Sequence, residues 1–137
     1  LMERVRDWMT REVIAVKPDS SIHETFATMR EGRLRHVLVR EDEGGAVLGM
    51  VSTHDLVRVT MQNPGRVLDL EGCVTQDIMT PSPLQAVAPD ATLAEAAELL
   101  EDLQIGALTV MEDGELVGIL TTSDLLRTFS ENQKSPL

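Results

Sequence analysis

GMVSTHDL at residues 49–56 returns as GILTTSDL at residues 118–125, 69 positions further along a chain of 137. Glycine, two apolar residues, Ser or Thr, and then Asp at a fixed place occur twice. The agreement extends outward. VRDWMT (5–10) faces TQDIMT (75–80) at an offset of 70, and VKPDSSIHE (16–24) faces VAPDATLAE (87–95) at 71. LRHVLV (34–39) faces IGALTV (105–110), and AVLGMVSTHDLVR (46–58) faces ELVGILTTSDLLR (115–127). The offset changes only before the Pro and at the Gly-containing turns REDEGG and MEDG. Length changes confined to turns are the mark of a duplicated fold.

Each half carries the same local signals. EVIAVKP and PLQAVAP read as short strands stopped by Pro, which cannot continue a ladder. Ser21 with Glu24, and Thr92 with Glu95, have the spacing of a capping box and mark helix starts. The first of these helices places Ile22, Phe26 and Met29 on one face; the second places Leu93, Ala96, Ala97, Leu100 and Leu103 there. HVLVRE and ALTVME then pair with AVLGMVS and ELVGILT as hairpins through Gly44–Gly45 and Asp113–Gly114. A second helix begins near Thr53 and Thr122, carrying Leu56, Val57, Leu125, Leu126 and Phe129. The predicted class is α/β (α+β), with the order β-α-β-β-α written twice. Residues 1–62 form repeat 1, 63–73 a linker turning at Asn63-Pro64-Gly65, 74–130 repeat 2, and 131–137 a frayed tail.

Composition restricts the function. At 42% hydrophobic residues the chain can bury a core, while a unit of about 60 residues alone is marginal, so the halves are expected to share one core. Net charge is −11, which opposes adhesion to nucleic acid or anionic membrane. Aromatics are 2% with no Tyr, so stacking platforms for single strands are missing. The first 70 residues hold 10 basic and 11 acidic side chains, the remainder 2 and 12. Cys73 is the one cysteine and excludes an internal disulfide. No run reaches the roughly 18 apolar residues of a membrane span, and LMERVRDWMT has no signal-peptide core. A soluble cytoplasmic protein is expected.

Asp55 and Asp124 fall in the first turn of a helix. One reading is structural: the carboxylate meets the orphan amides and the dipole of that helix, worth about 0.3–1 kcal/mol. The other is a ribose clamp, a carboxylate taking two vicinal hydroxyls, with free helix amides and Ser52 or Thr121 left to receive phosphate oxygens.

The ordered set, twice over, resembles the CBS domain, the module first named from cystathionine β-synthase. MT ahead of a Val-x-Pro-Asp strand end, RHVLV and GALTV before an acidic hairpin, and Gly-apolar-apolar-Ser/Thr-x-x-Asp carry the resemblance over about residues 5–62 and 74–130. The Pro common in the family's second strand is Leu38 in one half and Thr109 in the other. The resemblance implies a free-standing CBS pair, or Bateman module: tandem repeats about a pseudo-two-fold axis, with two clefts that bind AMP, ADP, ATP, NAD(H) or S-adenosylmethionine. Carried over, cleft 1 uses Ile14, Leu34, Arg35 and His36 with Thr121, Ser123 and Asp124. Cleft 2 uses Thr80, Gln85, Ile105, Gly106 and Ala107 with Ser52, His54 and Asp55.

Arg35, with Arg33 nearby, stands where the other half has Gly106 and Gln104, so a phosphate is expected to favour the cleft containing Asp124. His23, His36 and His54 share no ligand spacing, and no metal site is expected of them. No nucleophile or oxyanion device is recognisable, so the expected module is not an enzyme and requires no cofactor, an adenine nucleotide serving as regulatory ligand. The family's habit of pairing through helices implies a homodimer, with Leu125, Leu126 and Phe129 as a contact surface, acting on a downstream protein. The alternatives are an interaction module with empty clefts, or a divalent-cation (Mg²⁺) sensor at the acidic turns.

Overall fold

The computed structural model describes residues 3–62 and 72–133. The linker turn at Asn63-Pro64-Gly65 and the end of the tail lie outside the described residues.

The duplicated pattern forms the elements it predicts. In the first half β1 is Ala15–Val16, α2 Ile22–Glu31, β2 His36–Val39, β3 Gly49–Ser52 and α3 Thr53–Gln62, after a short α1 at Val5–Trp8. In the second, β5 is Ala86–Val87, α4 Leu93–Leu103, β6 Ala107–Glu112, β7 Glu115–Thr121 and α5 Thr122–Gln133, after a 3₁₀ turn at Thr75–Asp77 and a two-residue β4 at Thr80–Pro81. The strands β1 and β5 are much shorter than the apolar runs that suggested them. The VRDWMT and TQDIMT segments, given no element from sequence, form the helical turns.

Caps start the helices as the spacing requires. Ser21 Oγ and Thr92 Oγ1 each accept the amide three residues on, from Glu24 and Glu95, at 3.0 Å. Both helices then close on a left-handed residue, Arg33 and Gln104, each with φ 54°. The next amide reaches back five residues, Leu34 to Met29 and Ile105 to Leu100, which is how a helix end satisfies its last carbonyls. Asp113 and Gly114, both with positive φ, make the two-residue turn between β6 and β7 that matches strand twist.

The chain divides into two compact units, Ile14–Leu84 and Leu1–Val13 with Gln85–Leu137. The first holds the sheet β1-β2-β3-β4, with β1 parallel to β2 and the rest antiparallel. Its core is Ile22, Met29, Val37, Val39, Val51 and Ile78, with Leu34, Leu56 and Cys73 packed against it. The second holds the sheet β5-β6-β7, on whose β7 edge Thr10 pairs with Ile119. Its core is Val5, Met9, Ala96, Leu100, Leu108, Val110 and Leu120, joined by Trp8, Leu93, Ile105 and Leu125. Each sequence repeat therefore lends its opening MT segment to the unit that carries the other repeat's hairpin. Each core draws on both halves of the sequence, Val5 and Met9 joining the second half's hairpin and Ile78 the first's.

The expected helix faces need three corrections. Phe26 is 47% exposed, because the α2 face that packs inward is centred on Ile22, Thr25 and Met29. Leu103 is also exposed, with Leu99 packing in its stead. Leu125 packs into the core and leaves Leu126 and Phe129 outside, 68% and 64% exposed.

Candidate functional site

Both acids of the repeated octet are buried, Asp55 to 5% and Asp124 to 4% of full exposure. A buried charge requires donors, and the octet supplies them. Asp55 Oδ2 accepts the Ser52 amide at 2.8 Å and the Ser52 hydroxyl at 3.0 Å, while the Asp55 amide donates back to Ser52 Oγ at 3.2 Å. Asp124 repeats the exchange with Thr121 at 2.9, 3.2 and 3.3 Å. This is a reciprocal cap, and it explains why Ser or Thr and Asp stand three apart in both halves. An arginine one turn on completes the set: Arg58 lies 3.1 Å from Asp55 Oδ1, and Arg127 lies 3.4 Å from Asp124 Oδ1.

The helix ends are more self-sufficient than the sequence suggested. The Thr53 amide donates to Arg35 O and the Thr122 amide to Gly106 O, each at 3.0 Å. The amides of residues 52, 53 and 55, and of 121, 122 and 124, are thus engaged and not free for a phosphate.

The residues expected in each cleft are divided between the two units, so each unit shows its own share. In the unit of residues 14–84, His36 lies opposite Ser52 in the β2–β3 register, and Arg35 O caps α3. Leu34 packs on the core, while Ile14 is exposed and its carbonyl accepts the Leu38 amide. His54 is exposed on the first turn of α3, and exposed Thr80 pairs with Met50 beside β3. Burial is the main influence on His36 and pulls its pKa below the ordinary 6.5, with Arg35 acting in the same direction and Asp55 opposing.

In the other unit, Ala107 lies opposite Thr121, Gly106 O caps α5, and Ile105 packs on the core. Gln85 gives its carbonyl to the amide and hydroxyl of Thr109, and Ser123 is exposed beside Asp124. Three residues, one in the first unit and two in the second, escaped the sequence reading. Thr10 donates its hydroxyl to Asp124 Oδ1 at 3.3 Å, and Arg58 and Arg127 hold the acids. The alignment already contained the signal for Thr10, since it stands 70 positions before Thr80 in the repeat.

Among the described residues no three His, Cys, Asp or Glu side chains gather as a metal site, and no helix is long and apolar enough to cross a membrane. A groove of about 430 Å³ lies between α2 and α3, bordered by Ile22, Phe26, Leu56, Val57, Thr60 and Met61.

The CBS domain model matches residues 5–61 and 74–131, the two repeats read from the sequence. The CBS domain-containing protein YhcV of Bacillus subtilis is 28% identical over 135 residues, covering 98% of this chain and 91% of its own. The uncharacterized protein MJ1404 of Methanocaldococcus jannaschii is 28% identical over 143 residues, and the chain spans only 34% of its length. CBSX2, solved in complex with AMP, superposes with a TM-score of 0.76 at 30% identity, covering 96% of this chain and 99% of its own.

Proposed function

The chain belongs to the CBS-domain family, and from that premise we propose that it is a regulatory module that binds an adenosine compound, anchoring the ribose on Asp55 or Asp124. One observation carries the reading: both acids are buried and paired with an arginine one turn on, in the same arrangement in each repeat. A surface cap needs neither the burial nor the guanidinium. A carboxylate accepts a diol's hydroxyls through charge-assisted hydrogen bonds, which are stronger than neutral ones. The AMP bound by CBSX2 supports an adenosine ligand. Arg35, exposed beside His36, is the cation suited to its phosphate.

Binding transmits a signal only by favouring one arrangement of the protein over another. The listening surface and the second copy of a homodimer are assigned to the exposed apolar helix faces, Val57 and Met61 on α3 and Leu126 and Phe129 on α5. The same faces favour the second reading, an interaction module that binds no ligand.

Thermal unfolding with AMP, ATP, NADH, S-adenosylmethionine and Mg²⁺ separates the readings. A ligand at 100 times its Kd adds about 2.7 kcal/mol, and Asp55→Asn with Asp124→Asn abolishes the gain. No shift with any adenosine compound leaves the interaction module.

A further inference from the structure

The two acids are not equally available. A carboxylate offers about four acceptor positions. On Asp55, Oδ2 takes the Ser52 amide and hydroxyl, and among the described residues Arg58 alone reaches Oδ1. On Asp124, Oδ2 takes the Thr121 amide and hydroxyl, and Oδ1 accepts the Thr10 hydroxyl at 3.3 Å besides its ion pair with Arg127 at 3.4 Å. Thr80, the counterpart of Thr10, donates nothing to Asp55 among the described residues.

The arginines differ as well. Arg58 reaches one carbonyl, that of Ile78, at 3.5 Å. Arg127 donates to Trp8 O at 3.0 Å and lies over the indole, its Cζ 5.6 Å from the ring centre. A guanidinium stacked on a tryptophan face is held more firmly than one with a single long hydrogen bond.

Resting on the ribose-anchor reading, we propose that Asp124 is a latched acid and Asp55 an open one, so that a nucleoside engages Asp55 first. A diol brings two O–H donors and needs two acceptor positions. Asp55 has one open on Oδ1 and shares Oδ2 with a hydroxyl that can turn away. Asp124 carries one donor more, the Thr10 hydroxyl on Oδ1, which a diol has to displace. Thr10 is the partner that leaves most easily, being uncharged, whereas Arg127 is tied to Trp8. Thr10 and Arg127 are therefore positioning residues that set the order of occupancy. A phosphate would bring in the arginines as well, so adenosine, which has none, is the probe.

Trp8 is the only tryptophan and reports on the Asp124 side. The whole chain is titrated with adenosine by calorimetry while Trp8 emission is followed. The first event leaves the emission unchanged and is weakened about tenfold or more by Asp55→Asn, as expected for loss of a charge-assisted anchor. Thr10→Val, which keeps the shape and removes the hydroxyl, tightens a second event by about fivefold, and that event changes the emission. The latch is overturned if the first event changes Trp8 emission in the unmutated chain, if it survives Asp55→Asn, or if Thr10→Val leaves both events as they were. Absence of any adenosine binding overturns the ribose-anchor reading itself, and the latch with it.

Discussion

Thr25 and Thr75, 50 residues apart, bury their hydroxyls against each other at 2.7 Å. Neither side chain has any solvent exposure. The proton of Thr75 goes to Ser20 O at 2.8 Å, so Thr25 is the donor of the pair. The corresponding positions of the other repeat are Ala96 and Val5, also fully buried. The chain thus fills one place in the fold with a polar pair and the equivalent place with an apolar one. Thr75→Val alone leaves a buried donor unmatched and costs about 1–3 kcal/mol in urea denaturation. Adding Thr25→Ala restores consistency, so the double variant costs at least about 0.5 kcal/mol less than the sum of the singles. Strict additivity would show that the two hydroxyls act independently.

The glycine that opens each octet is there for space. A Cβ on Gly49 would lie 2.5 Å from Thr80 O and 2.6 Å from Met79 Sδ; on Gly118 the distances are 2.8 Å to Thr10 O and 2.9 Å to Met9 Sδ. The MT segment crosses the strand at this point in both units. Gly49→Ala and Gly118→Ala should each cost about 1–3 kcal/mol, the cost typical of overpacking, with Gly49→Ala the worse. Equal melting temperatures for the wild type and both variants would contradict the close approach.

Removing one half of the reciprocal cap tests the structural share of the octet. Ser52→Ala deletes the acceptor of the Asp55 amide and a donor to its carboxylate. The expected loss is about 1 kcal/mol, near the value typical of an N-cap. Ser52→Thr, which is what Thr121 already is, should recover most of it.

His36 gives stability a pH dependence of definite sign. Its folded pKa lies below the ordinary 6.5, chiefly through burial. The unfolded chain therefore binds the proton more readily, and stability rises with pH across the window just below 6.5. The contribution is complete above 6.5 and is lost as pH falls through the folded value. Melting temperatures measured from pH 7.5 to 5 should fall less steeply for His36→Gln than for the wild type. Parallel curves would remove His36 as a source of the slope.

Much was legible from local pattern. Ser21 and Thr92 announced their helices, Asp113-Gly114 its turn, and Gly-x-x-Ser/Thr the strand ends, because each depends on hydrogen bonds within a few residues. The apolar faces were less clear. Phe26 and Leu126 follow the helical period as well as Met29 and Leu125 do, and their exposure depends on what the rest of the chain brings against each helix.

The sequence alone settled the duplication, the order of elements and the recurrence of Ser or Thr three residues before Asp, since these are properties of short stretches read twice. Which unit each MT segment closes, and so which acid Thr10 reaches across 114 residues, was decided by tertiary structure. The two segments share Asp, Met and Thr at matching positions and both form a helical turn. Only the burial of Val5 and Met9 in one core, and of Ile78 in the other, distinguishes their places.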